Sequence, residues 1–363
     1  MQIGILTHNL KQDNGSGVLS LRLAKGLEKQ GRSEIIALTA EGSGLGFERP
    51  ILYPRRLKLL ANFFIIRRIL KTCEVIHAFD AYPYGVIAVI FSLGLRKKVV
   101  ITAVGSGSII PLYQPFISWL IKRCYQRADV VTAISNYTKH EILKKISGLE
   151  IKVINPGVDL EEFFEAAGKL LPPEVRQYQP YILSVGALRW RKGYKLSIPA
   201  FAEVNKKFPD LKYVIIGKKY TDKYLNQLRE IIRDLGLEKK VIIIENMPRE
   251  KLLQFYRGAE LFCLMSQNLG HDVEGFGIVF LEAAASGLPV VGAKDSGIED
   301  AVLEGKNGFL VESRDPYAFA EAIIKILSNE QLKKQMSEYS FTLAKESQWD
   351  IRIDEYISFL QLL

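Results

Sequence analysis

Strand-like apolar runs alternate with helical stretches from the first residues of the chain onward. Ile3–Thr7, Ile35–Thr39, Val75–Ala78, Val99–Ala103 and Val130–Ile134 read as strands, with Lys152–Ile154 ending the series. Helices are expected at about Leu19–Gln30, Tyr84–Leu95 and Gln114–Arg127. This βαβ rhythm predicts a parallel sheet covered by helices. Gly168, Pro172, Pro173 and Pro180 then interrupt the pattern with the breakers of a domain linker. The rhythm restarts with strands at Tyr181–Val185, Tyr213–Gly217, Val241–Ile244, Leu261–Leu264, Pro289–Gly292 and Gly308–Val311. Helices at about Tyr194–Lys207, Asp222–Leu235, Lys251–Arg257, Gly277–Ser286, Pro316–Leu327 and Gln331–Lys345 fall between and after them. The expected architecture is two doubly wound α/β domains in tandem, 1–167 and 181–348, joined by a linker at 168–180 and separated by a ligand cleft.

Length agrees, because 363 residues exceed what one hydrophobic core usually supports. A composition 48% hydrophobic and 25% charged excludes a disordered or fibrous chain. Cys73, Cys124 and Cys263 are too few and too scattered for a disulfide framework or a zinc site, and point to a reducing, cytoplasmic compartment. Met1 leads directly into an apolar strand, without the charged leader or cleavage site of a secretory signal. The uncharged run Val99–Ile121 has spanning length, but Gly105, Gly107, Pro111 and Pro115 exclude a transmembrane helix.

Charge divides the chain. Residues 1–170 hold 23 Lys and Arg against 14 Asp and Glu, whereas residues 171–363 hold 26 of each, so the first half carries the whole surplus of +9. Within residues 50–71, Arg55, Arg56, Lys58, Arg67, Arg68 and Lys71 surround an apolar block containing Phe63, Phe64, Ile65 and Ile66, with no acid. An anionic partner is expected there. An anionic membrane surface fits a basic amphipathic helix, and a helix with one face in the core and its cations merely solvated fits equally. Nucleic acid is not the expected partner.

Three segments could carry chemistry. Asn14-Gly15-Ser16-Gly17 is a glycine turn between the first strand and a helix, either plain turn chemistry or a cradle whose N–H groups meet an anion. Gly186–Gly193 brings Arg189, Arg191 and Lys192 to the carboxyl end of a strand, where open α/β sheets bind ligands. There Arg191 and Lys192 could neutralise a diphosphate leaving group, or simply be solvated. The most informative segment is Glu274-Gly275-Phe276-Gly277-Ile278-Val279-Phe280-Leu281-Glu282. Its glycines let backbone approach a ligand, and the helix opening near Gly277 presents N–H groups to phosphate. Glu282 lies about 7 Å of axial rise further along that helix, so the two carboxylates reach different parts of one ligand.

Residues 274–282 match the Glu-x7-Glu motif of retaining glycosyltransferases of GT-B fold, and the chain resembles family 4 among them. Other ordered matches include Ala24-Lys25-Gly26-Leu27, His77-Ala78-Phe79-Asp80, Ile154-Asn155-Pro156-Gly157-Val158-Asp159, Lys192-Gly193, Gly287-Leu288-Pro289-Val290-Val291 and Asn307-Gly308-Phe309-Leu310-Val311. The resemblance implies that Glu274 contacts the donor sugar and Glu282 bonds the ribose hydroxyls. It places backbone amides of Gly275, Phe276, Gly277 and Ile278 on sugar and phosphate, Arg191 and Lys192 on the diphosphate, and Gly15 and Gly17 on the same phosphates. It also implies retained anomeric configuration, no metal or cofactor, and a last helix, Trp349–Leu363, that crosses back onto the first domain. His77 and Asp80, at the end of a first-domain strand, are candidate acceptor contacts, with structural hydrogen bonding the alternative.

Two departures stand out. Val104 occupies the position where the family often has a histidine beside the reacting sugar, and Ala187 replaces a common arginine. The expectation is a retaining hexosyltransferase using GDP-mannose or a UDP-hexose. Its acceptor would be a glycan or lipid-linked precursor of cell-envelope polysaccharide or glycolipid, met by a cytoplasmic protein, peripheral on the inner membrane face. A sugar-nucleotide epimerase, a sugar phosphorylase and a non-catalytic glycosyltransferase-like subunit are the rival readings.

Overall fold

A computed structural model describes residues 1–12, 14–29, 33–52, 59, 61–167 and 170–360. Arg55, Arg56 and Lys58 of the expected basic segment, the first two residues of the expected linker and the last three of the expected final helix lie outside the described residues. The chain forms two compact units, Met1–Pro156 completed by the segment from Trp349, and Gly157–Gln348.

The first unit is built on seven parallel strands: β1 (Gln2–Thr7), β2 (Glu34–Thr39), β3 (Glu48–Arg49), β4 (Val75–Phe79), β5 (Lys98–Ala103), β6 (Val130–Ala133) and β7 (Lys152–Val153). Their order is β3-β2-β1-β4-β5-β6-β7. The second holds six: β8 (Tyr181–Val185), β9 (Lys212–Gly217), β10 (Val241–Glu245), β11 (Leu261–Leu264), β12 (Val290–Ala293) and β13 (Gly308–Val311), in the order β10-β9-β8-β11-β12-β13. Every residue of β4, β8, β11 and β12 is buried, as parallel strands covered on both faces must be. Each sheet reverses its winding once, between β1 and β4 and between β8 and β11. Loops diverge from such points, leaving a crevice at the carboxyl ends of the strands. The expected tandem of Rossmann-like sheets is the observed fold.

The expected boundary moves. Residues 157–167 belong to the second unit, because the helix Leu160–Ala167 packs on the helix Arg249–Gly258. Phe163 is buried edge-on against Tyr256 at 6.1 Å. The proline-rich stretch after it is packed too: Val175 is buried, and Gln179 donates from Nε2 to the Gly258 carbonyl at 3.1 Å. Pro172 and Pro173 open the short helix Pro173–Arg176 and Pro180 leads into β8, so these prolines mark no linker here.

The last helix, Trp349–Leu360, lies in the first unit and covers the helix Gly15–Lys29. Its Tyr356 hydroxyl stands 3.4 Å from Thr102 Oγ1, which also pairs with Thr132 Oγ1 and with His77 Nε2, both at 2.7 Å. His77 is fully buried, stacked on Phe79 with ring centroids 4.6 Å apart. The expectation that His77 meets an acceptor is therefore corrected. It lies two residues inside a strand covered on both faces, and its ring belongs to the core.

Candidate functional site

In the second unit, the loops leaving β8 and β11 meet at the reversal point. The Gln267 N–H donates to the Arg191 carbonyl at 2.7 Å, and Gly193 (φ 70°) lies so close to the Met265 carbonyl that a Cβ would collide with it. Only glycine combines that left-handed turn with that approach. The turn drives Arg191 and Lys192 inward, each 8% exposed.

Both cations converge on one oxygen. Glu274 Oε2 takes Lys192 Nζ at 2.6 Å, Arg191 Nη1 at 2.8 Å and the Ser266 hydroxyl at 3.1 Å. Glu274 is itself 8% exposed. Burial alone would raise its pKa, but the charges of Arg191 and Lys192 and the bonds from Lys192 and Ser266 outweigh it and hold the carboxyl at about 2. Asp272 adds a second acid 3.4 Å from Arg191 Nε. The result is a dense constellation of fixed charge, two cations around a carboxylate that stays ionised, at the ligand end of the sheet.

Beyond it, Gly277 (φ 79°) turns the chain into the helix Ile278–Ala285, and a Cβ there would press within 3.0–3.1 Å of Phe280 and Ile298. The first N–H groups of a helix lack intrahelical acceptors. The Phe276 side chain is 2% exposed and anchors the turn, leaving only its backbone for any ligand. Glu282, one turn along, is held on both oxygens: Arg249 Nη1 pairs with Oε1, and the Tyr256 hydroxyl donates to Oε2 at 2.8 Å.

The first unit presents its own reversal point. The helix Gly15–Lys29 begins at the glycine turn, and the Gly17 N–H donates to Asn14 Oδ1 at 2.8 Å. Asn14 thus caps that helix end. Across the reversal point, His8 Nδ1 bonds the Tyr84 hydroxyl at 3.1 Å. Asp80, with φ 71°, ends β4 and accepts from Ser108 Oγ at 2.7 Å and from the Val104 N–H at 3.2 Å. Burial pushes its carboxyl up to about 6, against those two hydrogen bonds. Val104, at the position where the family often has a histidine, thus contributes a backbone donor.

The sequence singled out Arg191, Lys192 and Glu274, and the structure brings them together. It passed over Ser266, Asp272, Arg249, Tyr256 and Glu162. Only Ser266 and Asp272 lay near a recognised motif, within the polar loop before Glu274.

Comparison with known proteins agrees with this architecture. Residues 13–162 match the family described as Glycosyltransferase Family 4, and residues 172–342 match Glycosyl transferases group 1. The chain belongs to this group of GT-B glycosyltransferases. It is 30% identical over 221 residues to the GDP-mannose-dependent alpha-(1-6)-phosphatidylinositol monomannoside mannosyltransferase of Mycolicibacterium smegmatis, covering 59% of this chain and 57% of that one. It is 30% identical to a D-inositol 3-phosphate glycosyltransferase of Corynebacterium urealyticum over 61% of this chain and 52% of that one. The matched region thus spans little more than half the length of these relatives. The crystal structure of HepE from Anabaena in complex with UDP-glucose superposes with a TM-score of 0.83 over the full length of both chains at 19% identity, a likeness of fold.

Proposed function

We propose that the chain is a retaining hexosyltransferase that moves a sugar from GDP-mannose or a UDP-hexose to a glycan or lipid-linked acceptor in cell-envelope polysaccharide or glycolipid synthesis. The observation that carries this reading is the buried Glu274 carboxylate with Arg191 and Lys192 on one of its oxygens. The two cations suit a diphosphate leaving group, whose charge grows as the bond to the sugar breaks. The carboxylate suits the sugar itself. The anomeric carbon exchanges its phosphate oxygen for the acceptor oxygen on the same face, and the leaving diphosphate takes the acceptor proton. Arg191 and Lys192 supply the positive charge, so the reading assigns no metal and no cofactor. The mycobacterial relative's GDP-mannose and the UDP-glucose held by HepE support the donor class without choosing within it.

Thermal melting with UDP, GDP, ADP and their sugars tests the reading. One nucleotide family should stabilise the chain, by about 2.7 kcal/mol at a hundredfold excess over Kd. Stabilisation by none of them would overturn it. Turnover of donor without acceptor would favour an epimerase instead, and a requirement for inorganic phosphate a phosphorylase.

The reading also places the protein in the cytoplasm, on the inner face of an anionic membrane, through residues 50–71. Among the described residues no helix is long and apolar enough to cross a membrane. The helix Phe63–Thr72, however, exposes Phe64 (81%), Ile65 (53%), Arg68 and Lys71. Phe116 and Trp119 on the same unit are 97% and 67% exposed, with Arg123 over the Trp119 ring at 5.9 Å. Such cations contribute about 1 kcal/mol each near an anionic surface. Flotation should carry the protein with phosphatidylglycerol vesicles at low salt but not with phosphatidylcholine vesicles. Absence from both fractions would sink the membrane assignment.

A further inference from the structure

Glu282 is fixed by a neighbour that the Glu-x7-Glu motif does not contain. Arg249 opens the helix Arg249–Gly258, and Tyr256 lies seven residues along it, two turns away on the same face. Both reach Glu282, one on each oxygen. The Arg249 guanidinium is gripped from its other side by Glu162, whose Oε2 accepts from Nη2 at 3.1 Å and Nε at 3.2 Å. The Phe163 ring lies 5.6 Å from its centre. Tyr256 is fully buried, stacked on Phe262 at 5.8 Å.

This arrangement suits orientation better than cohesion. Glutamate has three rotatable side-chain bonds, and a single hydrogen bond would leave its carboxylate plane free to turn. A planar guanidinium held by a second carboxylate removes that freedom, which a lysine could not do. A carboxylate offers about four acceptor positions, so with Arg249 and Tyr256 in place Glu282 still accepts two more donors. A pair of adjacent hydroxyls matches that remainder.

We propose that Arg249 is the positioning residue for Glu282, with Glu162 as its brace, and that this relay sets the preference for ribose over deoxyribose in the bound nucleotide. The proposal rests on the ribose-facing role assigned to Glu282 above. Uniform binding contacts of this kind affect KM more than kcat.

The test measures binding of UDP and GDP, each against its 2′-deoxy and 3′-deoxy counterparts, to the full chain. Wild type should favour the ribonucleotide about tenfold or more, since a site built for a hydroxyl leaves a charged acceptor unpaired when it is missing. Glu282→Gln should abolish the preference. Arg249→Met should reduce it to within about threefold while raising donor KM more than it lowers kcat, with Arg249→Lys intermediate and Glu162→Gln in the same direction. If Arg249→Met fails to fold, Arg249→Lys and Glu162→Gln carry the test. Arg249 variants that lose thermal stability yet keep the full ribose preference would show a merely structural ion pair and overturn the proposal. A wild type that binds no nucleotide fails at the proposed function instead, and a Glu282→Gln variant that keeps the preference removes Glu282 from the ribose and the relay with it.

Discussion

Glu274→Gln is expected to lower turnover by about 10²–10³-fold, the scale of losing one preorganised electrostatic contact in a transition state. Nucleoside diphosphate binding should survive the same change. The Glu274 carboxylate neutralises Arg191 and Lys192, each 8% exposed and both within 2.8 Å of its Oε2. Removing its charge leaves two buried cations side by side, at a cost of about 3–5 kcal/mol in stability. An arriving diphosphate would relieve that repulsion, so UDP or GDP should raise the melting temperature of the variant more than that of wild type. The carboxyl is held at about 2, below the ordinary 4.5, so its contribution to stability is complete above pH 4.5 and is lost progressively as pH falls from there through about 2. Activity loss on mild acidification therefore has another source. Turnover within twofold of wild type, measured with the donor that binds, would remove Glu274 from the reacting centre.

The parts of this site legible in the sequence are those that share one short segment. Gly275 and Gly277 beside Glu274, followed by an apolar helix that ends its first turns at Glu282, announce a backbone approach and two carboxylates aimed apart. Arg191 and Lys192 were legible because a strand and two glycines place them at a sheet's carboxyl end. Arg249 and Tyr256 were not, since they reach Glu282 from a helix distant in sequence that reads as an ordinary amphipathic segment. The misplaced boundary has a similar cause. Pro172, Pro173 and Pro180 report only local breaks in the pattern, whereas burial of Val175 and Phe163 depends on a helix some 75 to 90 residues later. The turn at Gly15 and Gly17 signalled a helix start, and the cap that occupies the Gly17 N–H comes from Asn14, a residue favoured at such ends.

His77→Phe is expected to reduce the acid sensitivity of the fold. The buried ring lies among Thr102, Phe79 and Tyr356, and among the described residues no charge shifts it. Its Nε2 bonds Thr102, while its Nδ1 is buried without a partner. A bare nitrogen is less costly as an acceptor than as an N–H, so the neutral tautomer with the proton on Nε2, donating to Thr102, is the stable form. Burial lowers the pKa from 6.5 to about 3. Above pH 6.5 the ring is neutral in both folded and unfolded chains and adds no pH dependence. As pH falls below 6.5 the unfolded chain takes up a proton that the native core refuses, and stability drains away until about pH 3. Two pH units of that window, from 6.5 to 4.5, correspond to about 3 kcal/mol at 1.36 kcal/mol per unit. Asp80 works the other way: its raised pKa gives a contribution fully present below pH 3.8 and lost as pH rises through about 6. The two groups partly cancel in wild type between pH 4 and 6, and deleting His77 leaves only the term that favours acid. The drop in melting temperature between pH 7 and pH 4.5 should therefore be smaller in His77→Phe than in wild type, by roughly 5–10 °C. An equal drop in both proteins would mean that His77 is protonated in the native core and that its place beneath Tyr356 is not what keeps it neutral.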